Sequence, residues 1–363
     1  MKKIQEGLAI IEVPEESKIS RKLEVFYNPA MKLNRDICVL FLNSIENKEM
    51  QIADIMAGTG VRAIRFIKEL KKGKIKKIAI NDHSSIQKIK NNFKLNKIKI
   101  NSKSNIELSS EDANEFLLKS TGFDYIDIDP FGTPNAFLDS SIKRLARNGI
   151  LAVTATDTAA LCGTYPSTEL RNYWSYNYRN GFMHESALRI LARKVQLIGA
   201  QYDKAMIPIL SYSKEHYVRV FFRCIKSRKE ADKVMQQQRY INYNAKTLNY
   251  EISNKNFKEN HITIGPLFAG SLNDKNLVSK MLKEAKKSNK SEFKDAQKTL
   301  SLIHDELDIV GSYDLHDLCK RLKKGVPNFE ELIKKSNASR THYNPMAIKT
   351  KLTAKELAIL LQK

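Results

Sequence analysis

The sequence predicts an open α/β sheet of parallel strands with helices on both faces, followed by a smaller, mostly helical α+β domain. Three observations carry this. From residue 50, short apolar runs ending in turn residues alternate with stretches of helical periodicity. The first four runs end on acids or small residues, as strands feeding ligand-binding loops do. From about Gly265 the alternation gives way to amphipathic helical patterns.

The elements follow in order. "QIADIMAG" is a first strand and turn, and "TGVRAIRFIKEL" a helix with Val61, Ile64, Ile67 and Leu70 on one face. "KIKKIAIND" is a second strand, ended by Asp82, before the helix "SSIQKIKNNFKL". "SNIELSSEDA" is a third strand and turn. "FDYIDID" is the fourth strand, "NAFLDSSIKRLA" its following helix, and "GILAVTATD" the fifth strand. Strands alternating with helices imply βαβ units and a parallel sheet covered on both faces. "HESALRILARKVQLIGAQY" reads as a long helix, and "AMIPILSYS" with "YVRVFFRCI" as an antiparallel hairpin closing the sheet. A charged segment, "KSRKEADKVMQQQRY", precedes a boundary placed between Ile225 and Gly270, near Pro266. "NLVSKMLKEAKK" and "AQKTLSLIHDEL" are the clearest helices beyond it.

Composition narrows the function. At ~100–200 residues per domain, 363 residues suit two domains. A hydrophobic content of 42% supports a buried core and excludes a disordered chain. Lys and Arg number 62 against 40 acids, a net +22, which favours a polyanionic partner such as nucleic acid. The four cysteines are far apart, which excludes a zinc knuckle and a disulfide scaffold and fits a reducing cytoplasm. The opening "MKKIQEGLAIIEVPEE" is not a signal peptide, and no window approaches the ~18 apolar residues of a membrane span.

The strand ends carry the chemistry. "DIMAGTG", with Asp54, Gly58 and Gly60, is a small-residue turn before a helix, suited either to an approaching ligand or to a plain tight turn. Asp82 can hold a ribose or cap the helix behind it. Asp112 and Ala113 in "EDAN" can meet an exocyclic amine or form an ordinary turn. "IDPFGTP" joins an acid, Asp129, to a residue without an amide hydrogen, Pro130, and an aromatic plate, Phe131. That combination suits the gripping of a planar ring through its NH2 group, with stacking worth ~1–3 kcal/mol. A Pro-Gly turn with a buried Phe is the plainer alternative.

Asp-Pro-Phe-Gly resembles the (Asp/Asn)-Pro-Pro-(Tyr/Phe) motif of amino-directed, S-adenosylmethionine-dependent methyltransferases. Further stretches are similar to the tRNA (guanine-26-N2)-dimethyltransferase family over almost the whole chain. They include "VFYNPAMKLNRD", "AGTGVRAIRF", "LCG", "HESALRIL", "ILSYSKEHYVRVF", "GPLFAG" and "ASRTHYNPMAIKT". The resemblance implies a Rossmann-like class I methyltransferase sheet in a domain spanning 1–265, N-terminal extension included, and a tRNA-binding domain at 266–363. It implies S-adenosyl-L-methionine as cofactor and tRNA as partner, for a cytoplasmic, monomeric enzyme off the membrane.

Residue by residue, the resemblance implies Arg35 at the methionine carboxylate, with Arg62 a second candidate or a solvated helix residue. Asp54, Gly58 and Gly60 line the cofactor turn, Asp82 takes the ribose, and Asp112 with Ala113 the adenine. Asp129 is the implied catalytic acid beside Pro130. Phe131 and Phe26 are the implied plates for the target guanine, although Phe26 alone reads as core. Arg340 and His342 in "SRTHYNP" are candidate RNA contacts or a solvated loop. Two departures stand out. Many relatives carry paired zinc-binding cysteines, whereas 236–257 has none, so no metal is expected. The segment 166–180 follows the family pattern loosely.

Overall fold

The computed structural model describes residues 2–13, 27–101, 104–287 and 292–361. The chain forms two compact units: Met1–Val153 with Asn276–Leu300, and Thr154–Lys275 with Ser301–Lys363. The expected boundary at 265/266 falls inside a strand of the second unit, so the expected domains and the compact units divide the chain at different places.

The first unit opens with an antiparallel hairpin, β1 (Lys2–Glu6) and β2 (Ala9–Val13). Side-chain amides fasten it. Asn92 Oδ1 accepts from Glu12 N at 2.9 Å, and Asn96 Oδ1 accepts from Ile10 N at 2.9 Å. Helix α1 (Lys32–Ser44) follows, buried through Leu33, Ile37, Leu40 and Phe41. Then come β3 (Met50–Asp54), α2 (Val61–Glu69), β4 (Ile75–Asn81), α3 (Ile86–Leu95) and β5 (Ile106–Ser109). α4 (Ala113–Lys119), β6 (Phe123–Ile128), α5 (Asn135–Arg144) and β7 (Leu145–Ala155) complete the run. The strands pair in parallel in the order β5-β4-β3-β6-β7. The four inner strands have apolar centres, Ile52, Ile78, Ile126 and Leu151 being fully buried, as a sheet covered on both faces requires, while the edge strand β5 is half-exposed.

In the second unit, α6 (Thr158–Leu161) and α7 (Pro166–Tyr173) precede the long α8 (Met183–Ala200). The expected antiparallel hairpin is present as β8 (Lys204–Lys214) and β9 (Tyr217–Lys226). The charged segment behind it forms α9 (Arg228–Met235) and then β10 (Gln238–Tyr243). β10 pairs with β11 (Tyr250–Ser253) and β12 (Ile262–Phe268). Aromatic packing holds this small sheet: Phe182 lies 5.7 Å from Tyr243 and 5.2 Å from Tyr250, and Tyr250 lies 5.3 Å from Tyr313. α10 (Lys275–Lys287) and the start of α11 (Lys294–Asp305) belong mostly to the first unit. The chain ends with β13 (Tyr313–Asp314), α12 (Leu315–Leu322), α13 (Phe329–Ser336), β14 (Ser339–Arg340), β15 (Ala347–Lys349) and α14 (Ala354–Leu360). Among the described residues no helix is long and apolar enough to cross a membrane.

A buried ion cluster organises the second unit. Glu306 accepts from His342 Nδ1 at 2.6 Å and pairs with Lys349 at 3.1 Å, and Lys349 also reaches Glu185 at 3.1 Å. Burial alone would raise the Glu306 carboxyl, but His342 and Lys349 outweigh it and hold it at about 2. A depressed carboxyl contributes stability above its ordinary 4.5 and loses it as pH falls toward 2. Glu306→Gln should therefore cost about 3 kcal/mol or more at pH 7 and flatten acid sensitivity between 4.5 and 2. Denaturant unfolding followed by the fluorescence of Trp174, the only tryptophan, reads this unit directly. An unchanged midpoint at pH 7 would dismiss the cluster as a stabilising element.

Candidate active site

From β3 the chain winds outward one way through β4 and β5, and from β6 the other way to β7. The switch between β3 and β6 is where an open α/β sheet opens a crevice at its strand ends. Both strands bring acids to it. Parallel register sets Asp54 beside Asp127, and Asp129 follows the last residue of β6. Asp54 and Asp127 are buried, while the Asp129 side chain keeps 18% of its surface.

Helix α2 supplies the counter-charge. It begins straight after Gly60, which has φ +76°, and a Cβ there would meet Ile89 Cγ2 at 3.1 Å. Glycine thus lets the helix start close to α3. Arg62 Nη1 donates to Asp127 Oδ2 at 3.2 Å, to Asn34 Oδ1 at 2.9 Å and to Cys38 Sγ at 3.1 Å. Its Nη2 pairs with Asp129 Oδ2. Tyr125 donates to the same Asp127 oxygen at 2.6 Å. Arg62 is a buried clamp on two acids rather than a solvated helix residue.

Asp54 lacks such support. Burial pushes its carboxyl up; Arg62 opposes this, and the acids at 127, 129 and 82 add to it, leaving it at about 7. Its Oδ2 is buried without a hydrogen-bond partner, as is the Thr59 hydroxyl.

At the other strand ends the acids bind local backbone amides. Asp82 Oδ1 accepts from Ser84 N and Ser85 N at 3.1 and 2.8 Å, and Oδ2 from Gly58 N at 2.7 Å. It opens α3 and ties down the glycine turn, and a carboxylate with about four acceptor sites keeps one more. Asp112 Oδ1 caps α4 through Asn114 N at 2.8 Å and Glu115 N at 3.2 Å. The residue is exposed, and Ala113 beside it is buried. Arg35 is engaged internally. Its Nε and Nη2 form a fork on Glu6 at 2.6 and 2.5 Å. Glu6 also accepts from Arg65 at 3.1 Å. Burial would raise Glu6, but the two arginines hold it at about 2.

Past Asp129, Pro130 is buried, Phe131 is 39% exposed and Gly132 has φ +83°. The turn therefore presents Phe131 outward, against the plainer reading of a buried ring. Phe26 lies outside the described residues. In the second unit Arg340 is part-exposed, and its guanidinium lies 4.6 Å from the Phe329 ring. The His342 ring differs from the solvated loop or RNA contact expected of it. Its side chain is 2% exposed and bonded to Glu306, so the ring acts within the protein. No group of three or more His, Cys, Asp or Glu among the described residues is placed to hold a metal.

Comparison with known proteins agrees with this geometry. A model of the N2,N2-dimethylguanosine tRNA methyltransferase family matches residues 7–362. The chain belongs to this family. A tRNA (guanine(26)-N(2))-dimethyltransferase of Methanocaldococcus jannaschii is 40% identical, over 98% of this chain and 96% of its own. The tRNA (guanine(26)-N(2)/guanine(27)-N(2))-dimethyltransferase of Aquifex aeolicus is also 40% identical, over 98% and 95%. Trm1 from Pyrococcus horikoshii, solved in complex with S-adenosyl-L-methionine, matches with a TM-score of 0.89 at 35% identity over 98% of each chain. The strand ends described above fit such a ligand, a nucleoside carrying a cation. Carboxylates outnumber Arg62, and two buried polar atoms, on Asp54 and Thr59, await partners.

Sequence reasoning did not find Glu6, Asn34 or Cys38 and assigned Asp127 to the strand alone. The signal available for Asp127 was a charged residue at an inward position of a buried strand. One outcome follows from Asp54. Its ordinary value of 3.8 is raised to about 7, so its ionisation opposes folding increasingly as pH climbs between them. Asp54→Asn should melt higher than wild type by ~1–4 kcal/mol at pH 8, with the gap closing toward pH 4. Thermal unfolding at the two pH values checks it; a gap independent of pH would contradict the crowding of acids.

Proposed function

We propose that the protein methylates the exocyclic N2 of guanosine 26 in tRNA once or twice, giving N2,N2-dimethylguanosine. That is the activity of the family, and S-adenosyl-L-methionine is its methyl donor. One observation carries the site assignment: Arg62 holds Asp129 by Oδ2 at the part-exposed end of its strand, and Phe131, two residues on, is exposed.

When bound, S-adenosyl-L-methionine supplies an electrophilic methyl group on a sulfonium. Asp54, Asp82, Asp112 and the backbone at Gly58, Gly60 and Ala113 hold the nucleoside; Arg35, forked on Glu6, can meet its carboxylate only by sharing that acid, and Arg62 stays committed to Asp127 and Asp129. The target guanosine is flipped from its stack, at a cost of a few kcal/mol. Phe131 stacks on the base. Asp129 Oδ1 accepts a hydrogen bond from N2–H, and a backbone carbonyl next to Pro130 takes the second. Fixing both hydrogens aims the nitrogen lone pair, and positioning supplies much of the rate. As nitrogen gains its methyl, the proton leaves toward Asp129 Oδ1. Arg62 fixes the position of that carboxylate through Oδ2. Residues 266–363, Arg340 among them, hold the tRNA backbone, and the enzyme acts as a cytoplasmic monomer.

Asp129→Ala should lower methyl transfer by ~100-fold or more while donor binding persists. Asp129→Asn, which keeps an acceptor oxygen, should retain part of the rate. Mass analysis of nucleosides from treated transcripts, one with adenine replacing guanine 26 and one altered at 27, reads product and position together. Methylation that survives the change at 26 would redirect the assignment to the neighbouring guanosine. Equal loss of transfer and donor binding in the Ala variant would remove Asp129 from the chemistry.

A further inference from the structure

Residues 173–177 alternate strictly between inside and outside. Tyr173, Ser175 and Asn177 are buried, whereas Trp174 and Tyr176 are 46% and 44% exposed. The segment is fastened: Ser175 donates to Pro266 O at 2.9 Å, and Tyr176 and Gly265 exchange backbone bonds of 3.0 and 2.6 Å. Trp174 sits at φ +55°, a left-handed conformation that a bulky residue adopts only when its surroundings impose it. It ends α7 there, its N–H reaching Leu170 O, and two successive cations of α8 meet it. Arg193 Nη1 donates to the Trp174 carbonyl at 3.1 Å, and Lys194 Nζ lies 3.0 Å from the indole centroid.

Lys194 is only 5% exposed. Burial and the charge of Arg193 lower its pKa to about 8, and the ring face beneath offsets part of that desolvation. One face of the indole is thus covered by a cation from inside, and the exposure belongs to the remainder of the ring. Packing would turn a tryptophan inward; here strain and a buried ammonium hold it out. Arg171, on α7 one turn earlier, is exposed as well. A rigid aromatic plate beside guanidinium groups matches an unpaired nucleobase with its phosphate.

We propose that Trp174, with Tyr176, is a stacking platform for an unpaired base of the bound tRNA. The proposal rests on tRNA being the substrate. Because Trp174 is the only tryptophan, its fluorescence reports on the platform alone. Saturating tRNA transcript should quench it and shield it from acrylamide. Trp174→Ala should weaken tRNA binding about 5- to 100-fold, and Trp174→Phe should recover most of that. The slope of log affinity against log salt should not change, since stacking releases no counterions. Should Trp174→Ala fail to fold, wild-type quenching and Tyr176→Ala still decide. Protein that methylates tRNA while Trp174 stays accessible to acrylamide overturns the platform alone. A Trp174→Ala variant with intact tRNA affinity that dissolves a dimer in sedimentation assigns the patch to a second copy, which also overturns it. Protein that neither binds nor methylates tRNA overturns the substrate reading, and the platform with it.

Discussion

One guanidinium stands against three carboxylates at the carboxyl edge of the parallel sheet. The register that pairs β3 with β6 leaves Asp54 beside Asp127, and the end of β6 adds Asp129. Without Arg62 these acids could not share so small and dry a space, because buried like charges disfavour each other's ionisation. Arg62 reaches them because α2 begins immediately after the glycine turn. The same turn is tied to Asp82. Strand order, glycine turn and acid positions are therefore one arrangement: moving any of them would strand a buried charge.

Beneath it lies a second buried set of charges that fixes the N-terminal hairpin. Arg65, fully buried, meets Asp36 at 2.6 Å and Glu69 at 2.9 Å as well as Glu6. Glu6 in turn occupies the fork of Arg35. Removing such ions from water costs several kcal/mol each, which attraction between well-placed partners only roughly offsets. The network is better understood as a selector of geometry. A hairpin that could dock in several registers on α3 is fixed by the one placement that brings Glu6 to both arginines. The cluster of Glu185, Glu306 and Lys349 has the same character in the second unit.

Periodicity made the parallel strands and their helices legible, because their local patterns agree with the fold. The acids at strand ends were legible as well, with two readings each. Asp112 does cap its helix, whereas Asp82 binds the amides just before α3; each carboxylate still has acceptor sites to meet a ligand. Partner choice over long separations was not legible. Glu6 pairs with an arginine 29 residues away and another 59 residues away, and nothing local marks it. His342 looked like a solvated loop residue because its acid, Glu306, is 36 positions earlier. The segment 226–240 read as charge alone, yet Ser227 caps its helix and apolar residues at 231 and 234 bury one side.

Charge also explains how a basic protein could present a base rather than a phosphate to its strand ends. The chain carries +22 overall, a field that draws any polyanion. At the crevice the sign reverses locally, where Asp54, Asp127 and Asp129 face Arg62 as their shared cation and Asp82 adds a further acid. A phosphate entering there meets repulsion and finds carboxylates that only accept hydrogen bonds. An exocyclic amine brings hydrogens and no charge, so it is the part of a nucleotide such a surface admits. Under the proposed function, attraction over the whole chain would gather the nucleic acid and exclusion at the crevice would select which edge of it enters.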